Sequence, residues 1–173
     1  MIIDKNYFEL FSLPKSFDID LSNLSANFRA LQKVVHPDNF ANGIEQERLQ
    51  SIQQASLINS AYETLKSPIS RANYMLCIEQ VDVEGIKPQP EFLMRQIEIR
   101  EHVDDAKNDI DELDVLSDQI AKLLSDKVEA ISRLFLELPP NYEAVAIQVQ
   151  EAQFYIKLQE NVSAIILSAE HNE

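Results

Sequence analysis

The sequence has few of the residues that disulfide-bonded, zinc-binding and β-rich proteins need. Its 173 residues include one cysteine and two glycines. A single cysteine excludes an intramolecular disulfide and a zinc site built from cysteines. Because β-rich folds use glycine at hairpins and bulges, its scarcity favours helices. A hydrophobic content of 45% with 25% charged residues is typical of a globular chain.

Long apolar runs are also absent. The first eleven residues contain the acidic Asp4 and no apolar run of signal-peptide length. No stretch reaches the length of a membrane span. We therefore expect a cytoplasmic protein with no membrane partner.

Basic residues are scarce, and the formal net charge is −14. Residues 1–76 hold 7 Lys and Arg against 8 Asp and Glu, a net charge of −1. Residues 77–173 hold 8 against 21, a net charge of −13. An acidic surface repels phosphate backbones, so we expect no nucleic-acid partner.

Apolar spacing predicts four helices in the first half. A short helix over 6–11 ends before Pro14. Asp20 caps a second helix, which ends near Val35 because Pro37 disfavours helical geometry at the residue before it. Its apolar face repeats at spacings of three and four: Leu21, Leu24, Phe28, Leu31 and Val35. The next helix has a face formed by Leu49, Ile52, Ala55 or Ser56, Asn59 and Tyr62. Ser67 caps a fourth helix that begins at Pro68.

The segment 81–90 separates two halves, because it holds one glycine, two prolines and no helical period. Three longer helices follow over 91–106, 110–138 and 142–169. Short turns between them predict an antiparallel three-helix bundle. Two core stripes are expected, one on the second helix (Ile110, Leu113, Ile120, Leu124, Val128, Ile131, Phe135, Leu138) and one on the third (Val145, Val149, Ala152, Ile156). The predicted fold class is all-α.

The tripeptide His36-Pro37-Asp38 lies between two helices that run antiparallel in this prediction. Pro37 fixes its own φ and restricts His36, and Asp38 is a charged acceptor that can cap backbone groups or pair with an arginine. Arg29 and Lys33, four residues apart on the preceding helix, add a small basic strip. The simplest interpretation is a helix-ending turn with a surface histidine. The order of short helix, amphipathic helix, loop and returning helix instead resembles that of a J domain.

Further motifs extend through both halves. The first half contains Tyr7-Phe8-x-Leu10-Phe11-x-Leu13-Pro14, His36-Pro37-Asp38-x-Phe40-Ala41, Ile58-Asn59-x-Ala61-Tyr62-x-x-Leu65 and Pro68-x-x-Arg71-Ala72-x-Tyr74-x-Leu76. The second half contains Phe92-Leu93-Met94-x-Gln96-x-Glu98-x-Arg100-Glu101, a run that a generic J protein lacks. Over nearly all 173 residues the chain resembles the HscB family of co-chaperones in iron–sulfur cluster assembly, with a J domain of the DnaJ class.

The resemblance implies an N-terminal J domain over 1–80, an antiparallel helical hairpin with flanking short helices. A connector over 81–89 and a C-terminal three-helix scaffold-binding domain over 90–173 follow. The implied activity is that of a co-chaperone rather than an enzyme, with no cofactor and no metal. It stimulates the ATPase of a DnaK-type chaperone, usually the specialised HscA type, and delivers an IscU-type iron–sulfur scaffold to it. The implied chaperone-binding residues are His36, Pro37, Asp38, Arg29 and Lys33.

One departure concerns the neighbours of the tripeptide. Many J domains have tyrosine before the histidine and lysine after the aspartate, where this chain has Val35 and Asn39. The positive patch is therefore thin, which predicts a weaker or more selective contact with the chaperone.

The helix over 91–106 carries two apolar faces. Phe92, Ile99 and Val103 share one face, whereas Leu93 and Ile97, with Met94 beside them, form another. On the last helix, Phe154 points away from the core stripe. Periodicity alone favours a bundle that buries all these groups. The resemblance implies instead an exposed scaffold-binding surface, with Phe92 in the core. Its apolar contacts are Leu93, Met94, Ile97 and Phe154, and its polar rim is Glu98, Arg100 and Glu101.

Two alternatives remain open. The first is a J-domain co-chaperone that serves a different client protein. The second is an enzyme, because Glu98, Glu101 and His102 on one bundle helix resemble part of a di-metal carboxylate site. Such sites need two Glu-x-x-His motifs and two further glutamates, and the chain has no second motif.

Overall fold

The computed structural model describes residues 6–36, 45–83 and 85–170, which form seven α-helices and no strand. The all-α prediction is confirmed. The helices are α1 (Tyr7–Leu10), α2 (Leu21–Val35), α3 (Glu45–Lys66), α4 (Pro68–Ile78), α5 (Pro90–Asp105), α6 (Ile110–Phe135) and α7 (Tyr142–Glu170). The described residues fall into two compact units, one that ends at Tyr74 and one that begins at Met75. This division lies within α4, before the predicted connector over 81–89.

In the first unit α2 and α3 form an antiparallel hairpin. The Phe28 and Tyr62 rings stack with their centroids 4.1 Å apart. Toward the end of α2, the Ser51 hydroxyl donates to the Val35 carbonyl at 2.7 Å. Phe28 precedes Val35 on α2, whereas its partner Tyr62 follows Ser51 on α3, so the two helices are antiparallel. Large apolar side chains fill the space between these helices and α1, among them Phe8, Phe11, Leu24, Ile58 and Leu65.

Local capping fixes where several of these helices begin. The Asp20 carboxylate accepts from the Ser22 and Asn23 amides at 2.8 and 3.2 Å, as predicted. The Ser67 hydroxyl accepts from the Ser70 amide at 3.3 Å, with Pro68 as the first residue of α4. Side-chain caps of this kind satisfy amides that have no partner inside the helix.

Arg71 is a buried cation that ties α4 to the end of α3. Its guanidinium donates from Nη1 to the Leu65 carbonyl at 2.5 Å and lies 5.1 Å from the centre of the Phe17 ring. Burial lowers the pKa of Arg71 from its ordinary value, and the charge of Asp18 opposes this shift. The guanidinium still stays protonated at neutral pH.

The predicted apolar face of α3 is wrong at its start and again at Asn59, which is exposed while the neighbouring Ile58 is buried. Leu49 and Ile52 are exposed, whereas Ser51 is buried. The last carbonyls of a helix lack intrahelical partners, and the Ser51 hydroxyl supplies one to Val35. That hydrogen bond turns Ser51 toward α2 and rotates Leu49 and Ile52 away from it.

The second unit holds the predicted three-helix bundle. Its core cluster draws side chains from all three helices: Phe92, Val103, Ala106, Leu113, Leu116, Ile120, Phe154, Tyr155, Leu158 and Val162. Lys127 on α6 pairs with Glu151 on α7, and Gln159 on α7 donates to the Ser117 hydroxyl at 2.5 Å. These pairs run in opposite order along the two helices, so α6 and α7 are antiparallel.

Gln150 holds the segment before α5 against α7. Its side-chain amide donates to the carbonyls of Val83 at 2.5 Å and of Ile86 at 2.9 Å. Within the segment, the Val83 carbonyl also accepts from the Ile86 amide, at the longer distance of 3.4 Å. The Gln150 side chain on α7 therefore contributes to the path of the chain into α5.

Two predicted core stripes need correction. α6 ends at Phe135, before the predicted end at Leu138. Leu138 is 95% exposed instead of continuing the stripe, because helical geometry is disfavoured for the residue before a proline. On α7, Val145, Val149 and Ala152 are buried as predicted, but the next fully buried residue is Tyr155 rather than Ile156. The Tyr155 ring packs edge to face on Phe92, with centroids 5.9 Å apart.

Candidate functional site

The first candidate site lies at the end of α2. The helix ends at Val35, and His36 has the extended backbone angles φ −58° and ψ 129° that a following proline favours. His36 is exposed, and so are Arg29 and Lys33 on the helix before it. Val35 itself is buried, so it presents no surface side chain where many J domains have tyrosine. Pro37 and Asp38 lie outside the described residues, as does Asn39.

The second candidate site is an exposed apolar surface on α5, which we call the α5 face and define as Leu93, Met94 and Ile97. These side chains are 46%, 60% and 52% exposed, although they follow directly on the buried Phe92. The expectation that the bundle buries both apolar faces of this helix is therefore wrong for the α5 face. Large apolar side chains that stay together at a surface are a common mark of a protein partner.

Charged side chains surround the α5 face on its own helix. Glu98, Arg100 and Glu101 are all exposed, in the turn that follows Ile97. The structure thus brings the three predicted rim residues next to the apolar residues. An apolar centre with a polar rim is the usual composition of a protein–protein interface.

Phe154 differs from the expectation of an exposed contact residue, since it is only 8% exposed. Its ring packs edge to face on Phe92 with centroids 5.6 Å apart, and the Arg100 guanidinium lies 5.2 Å from its centre. The physical reason is that α7 contacts both α6 and α5. A helix with two neighbours buries two faces, so a side chain that points away from one stripe still meets the other neighbour.

A groove of about 290 Å³ runs between α5 and α7 beside this ring. Val103, Phe154 and Leu158 form its apolar part. Its polar lining comes from Arg100, Asp104, Lys157 and Asn161. Lys157 and Asn161 are not among the site residues predicted from the sequence. Their spacing of three and seven residues from Phe154 places them on one face of α7, and this signal was available.

Known proteins resemble this chain over most of its length. A family model described as the HSCB C-terminal oligomerisation domain matches residues 88–163. The co-chaperone protein HscB homolog of Photobacterium profundum is 40% identical over 166 residues, which cover 92% of this chain and 96% of the relative. The homolog from Vibrio cholerae is 39% identical over 171 residues, with the same coverage. The chain belongs to the HscB family of co-chaperones.

Solved HscB structures share its architecture. The chaperone HscB from Vibrio cholerae matches with a TM-score of 0.82 at 36% identity, over 93% of this chain and 97% of that one. The human co-chaperone HscB, at 23% identity, matches in fold with a TM-score of 0.85, over 92% of this chain and 81% of that one. The HscB resemblance and the predicted J domain followed by a C-terminal helical domain are both confirmed.

The enzyme alternative finds no support in the HscB comparisons, whose named relatives are co-chaperones. Across the described residues, no group of three or more His, Cys, Asp and Glu side chains could hold a metal ion. Glu98, Glu101 and His102 are all exposed on α5. In the part of the chain that the structure describes, no helix combines the length and apolar character needed to cross a membrane.

Proposed function

We propose that this HscB-family chain is an adaptor that delivers an IscU-type iron–sulfur scaffold to an HscA or DnaK-type chaperone. It stimulates the ATPase of that chaperone through the loop His36-Pro37-Asp38, with Arg29 and Lys33 beside it. The chaperone carries out the hydrolysis, so the adaptor itself is not an enzyme. Both partners meet it in the cytoplasm, where they assist the maturation of iron–sulfur proteins.

The observation that carries the proposal is the exposure of the α5 face. Folding leaves Leu93, Met94 and Ile97 in water, although full burial of each such side chain is worth about 1.5–3 kcal/mol. A partner that covers them recovers part of this free energy on binding. The rim of Glu98, Arg100 and Glu101 supplies charges that fix the orientation of that partner.

The chaperone side of the proposal rests on the end of α2. His36 is exposed at a helix end whose backbone is already extended, and two basic residues precede it by seven and three positions. A docked loop can stimulate hydrolysis only by favouring one conformation of the chaperone over another. Carrying a scaffold site on the same chain raises the effective concentration of scaffold near the chaperone.

The α5 face is tested with the double variant Leu93→Ala/Ile97→Ala. We expect its affinity for the IscU-type scaffold to fall by about 30-fold, since central interface residues cost more than about 1 kcal/mol each on truncation. Isothermal titration calorimetry with the purified scaffold measures the change. Both residues are exposed, so the variant should keep the helical content of the wild type.

The matched control is Leu167→Ala, which removes an exposed leucine from α7. It should bind the scaffold as tightly as the wild type. If the double variant also binds as tightly as the wild type, the α5 face is not the scaffold site. A wild-type chain that stimulates the chaperone but binds no scaffold would point to the other reading, a J-domain co-chaperone for a different client.

A further inference from the structure

The groove between α5 and α7 is positively charged in an acidic part of the chain. Residues 77–173 carry a net charge of −13, yet Arg100 and Lys157 both line this groove. Among the lining residues the carboxylate is that of Asp104, and its Oδ1 lies 2.8 Å from the ammonium of Lys107. The opposing charge at the groove is therefore already partly neutralised.

The two cations have no acidic partner within the residues that the structure describes. Arg100 lies over the Phe154 ring, which holds the guanidinium near the groove through a cation–π contact. The planar fork of an arginine can bind a carboxylate through two parallel hydrogen bonds. Lys157 adds a second charge, and Asn161 adds an amide that can donate.

The groove continues the α5 face. Leu93, Ile97 and Arg100 lie at positions i, i+4 and i+7, so they follow one another along a single stripe of α5. On α7, Phe154, Lys157 and Asn161 form a matching stripe at positions i, i+3 and i+7. A segment of a partner protein that covers Leu93 and Ile97 and extends along α5 therefore reaches Arg100 and enters the groove.

We propose that Arg100, Lys157 and Asn161 bind an aspartate or glutamate side chain of the scaffold, next to the segment that covers the α5 face. This assignment rests on the proposed function, because it names the chemistry of the scaffold at the same surface. Leu158 and Phe154 form an apolar floor that accepts the methylene groups of that side chain, and the two cations and the amide take its carboxylate. Lys157 and Asn161 thereby extend the scaffold site from α5 to α7.

The test is a calorimetric titration of the scaffold into the full chain and into Lys157→Gln. The glutamine keeps most of the length of lysine and removes its charge. We expect the affinity to fall about 3- to 10-fold, the effect of one partly exposed charge pair. The loss of affinity should be larger for Lys157→Glu. Raising the salt concentration should reduce the difference in affinity between the wild type and Lys157→Gln, because salt screens the charge pair.

The matched control is Lys122→Gln, which removes an exposed lysine from α6 outside the groove. It should bind as tightly as the wild type. A scan of scaffold aspartates and glutamates, each changed to its amide, should find one whose loss is not additive with Lys157→Gln.

Three outcomes separate the assignment from the function on which it rests. If Lys157→Gln weakens binding and one scaffold carboxylate couples to it, the assignment is supported. If Lys157→Gln binds like the wild type while Leu93→Ala/Ile97→Ala does not, the carboxylate site is wrong and the proposed function stands. If the wild type binds no scaffold, both are overturned.

Discussion

Individual residues of α5 change from core to surface within a few positions. Phe92 is buried against Phe154 and Tyr155, and the next two residues, Leu93 and Met94, are exposed. The Phe154 ring is buried in the core, and the guanidinium of the surface residue Arg100 lies over it. Substitutions of neighbouring apolar residues should therefore separate the stability of the bundle from scaffold binding.

Phe154→Ala should act through stability. The side chain is 8% exposed and belongs to the core cluster, and truncation of a buried phenylalanine typically costs about 3–5 kcal/mol. Urea unfolding followed by circular dichroism measures the change, with the exposed Leu167→Ala as its control. A Phe154→Ala variant as stable as the wild type would contradict a core role for this ring.

Arg71→Met should destabilise the first unit. The substitution removes the donor to the buried Leu65 carbonyl, and a carbonyl left without a partner costs about 1–3 kcal/mol. The exposed Arg48→Met on α3 is the control and should change stability by less than about 0.5 kcal/mol. If Arg71→Met unfolds at the same urea concentration as the wild type, the cost of burying the guanidinium equals the stabilisation that its contacts provide.

At the scale of helices, α7 organises the second unit. It packs against α6 along most of its length and against α5 through Phe154 and Tyr155. Through Gln150 it also holds the segment that leads into α5. The position of the α5 face thus depends on contacts with α7.

Gln150→Ala should loosen the segment over 81–89. The Ile86 carbonyl loses this donor, the Val83 carbonyl keeps the Ile86 amide at 3.4 Å, and each net hydrogen bond is worth about 0.5–1.5 kcal/mol. Hydrogen exchange measured by mass spectrometry should show faster exchange in this segment than in the wild type. Gln153→Ala, an exposed glutamine on the same helix, should leave it unchanged. Equal exchange in both variants would show that Gln150 does not hold the segment.

Most helix limits could be predicted from the sequence because their signals are local. Asp20 and Ser67 cap helices through their own side chains, and Pro37 ends α2 through its effect on His36. The face of α3 depends on a contact between distant residues, the bond from Ser51 to Val35, which periodicity does not contain. The burial of Phe154 likewise depends on the packing of a second helix on α7. Family resemblance predicts the exposed α5 face, whereas periodicity alone predicts its burial.

At the scale of the whole molecule, the two candidate sites lie in different compact units. His36 ends α2 in the first unit, and the α5 face belongs to the second. The formal charge is also divided, with −1 over residues 1–76 and −13 over residues 77–173. Two surfaces of different character on one chain suit an adaptor that binds two different proteins.

The central claim is that one chain stimulates the chaperone and delivers the scaffold to it. The most direct test is the steady-state ATPase rate of the HscA-type chaperone with this protein, with the IscU-type scaffold, with both, and with both when the protein carries His36→Gln. We expect the two together to stimulate the rate more than the sum of their separate effects, and His36→Gln to abolish the contribution of this protein. A rate that this protein does not change, with or without the scaffold, would contradict the claim.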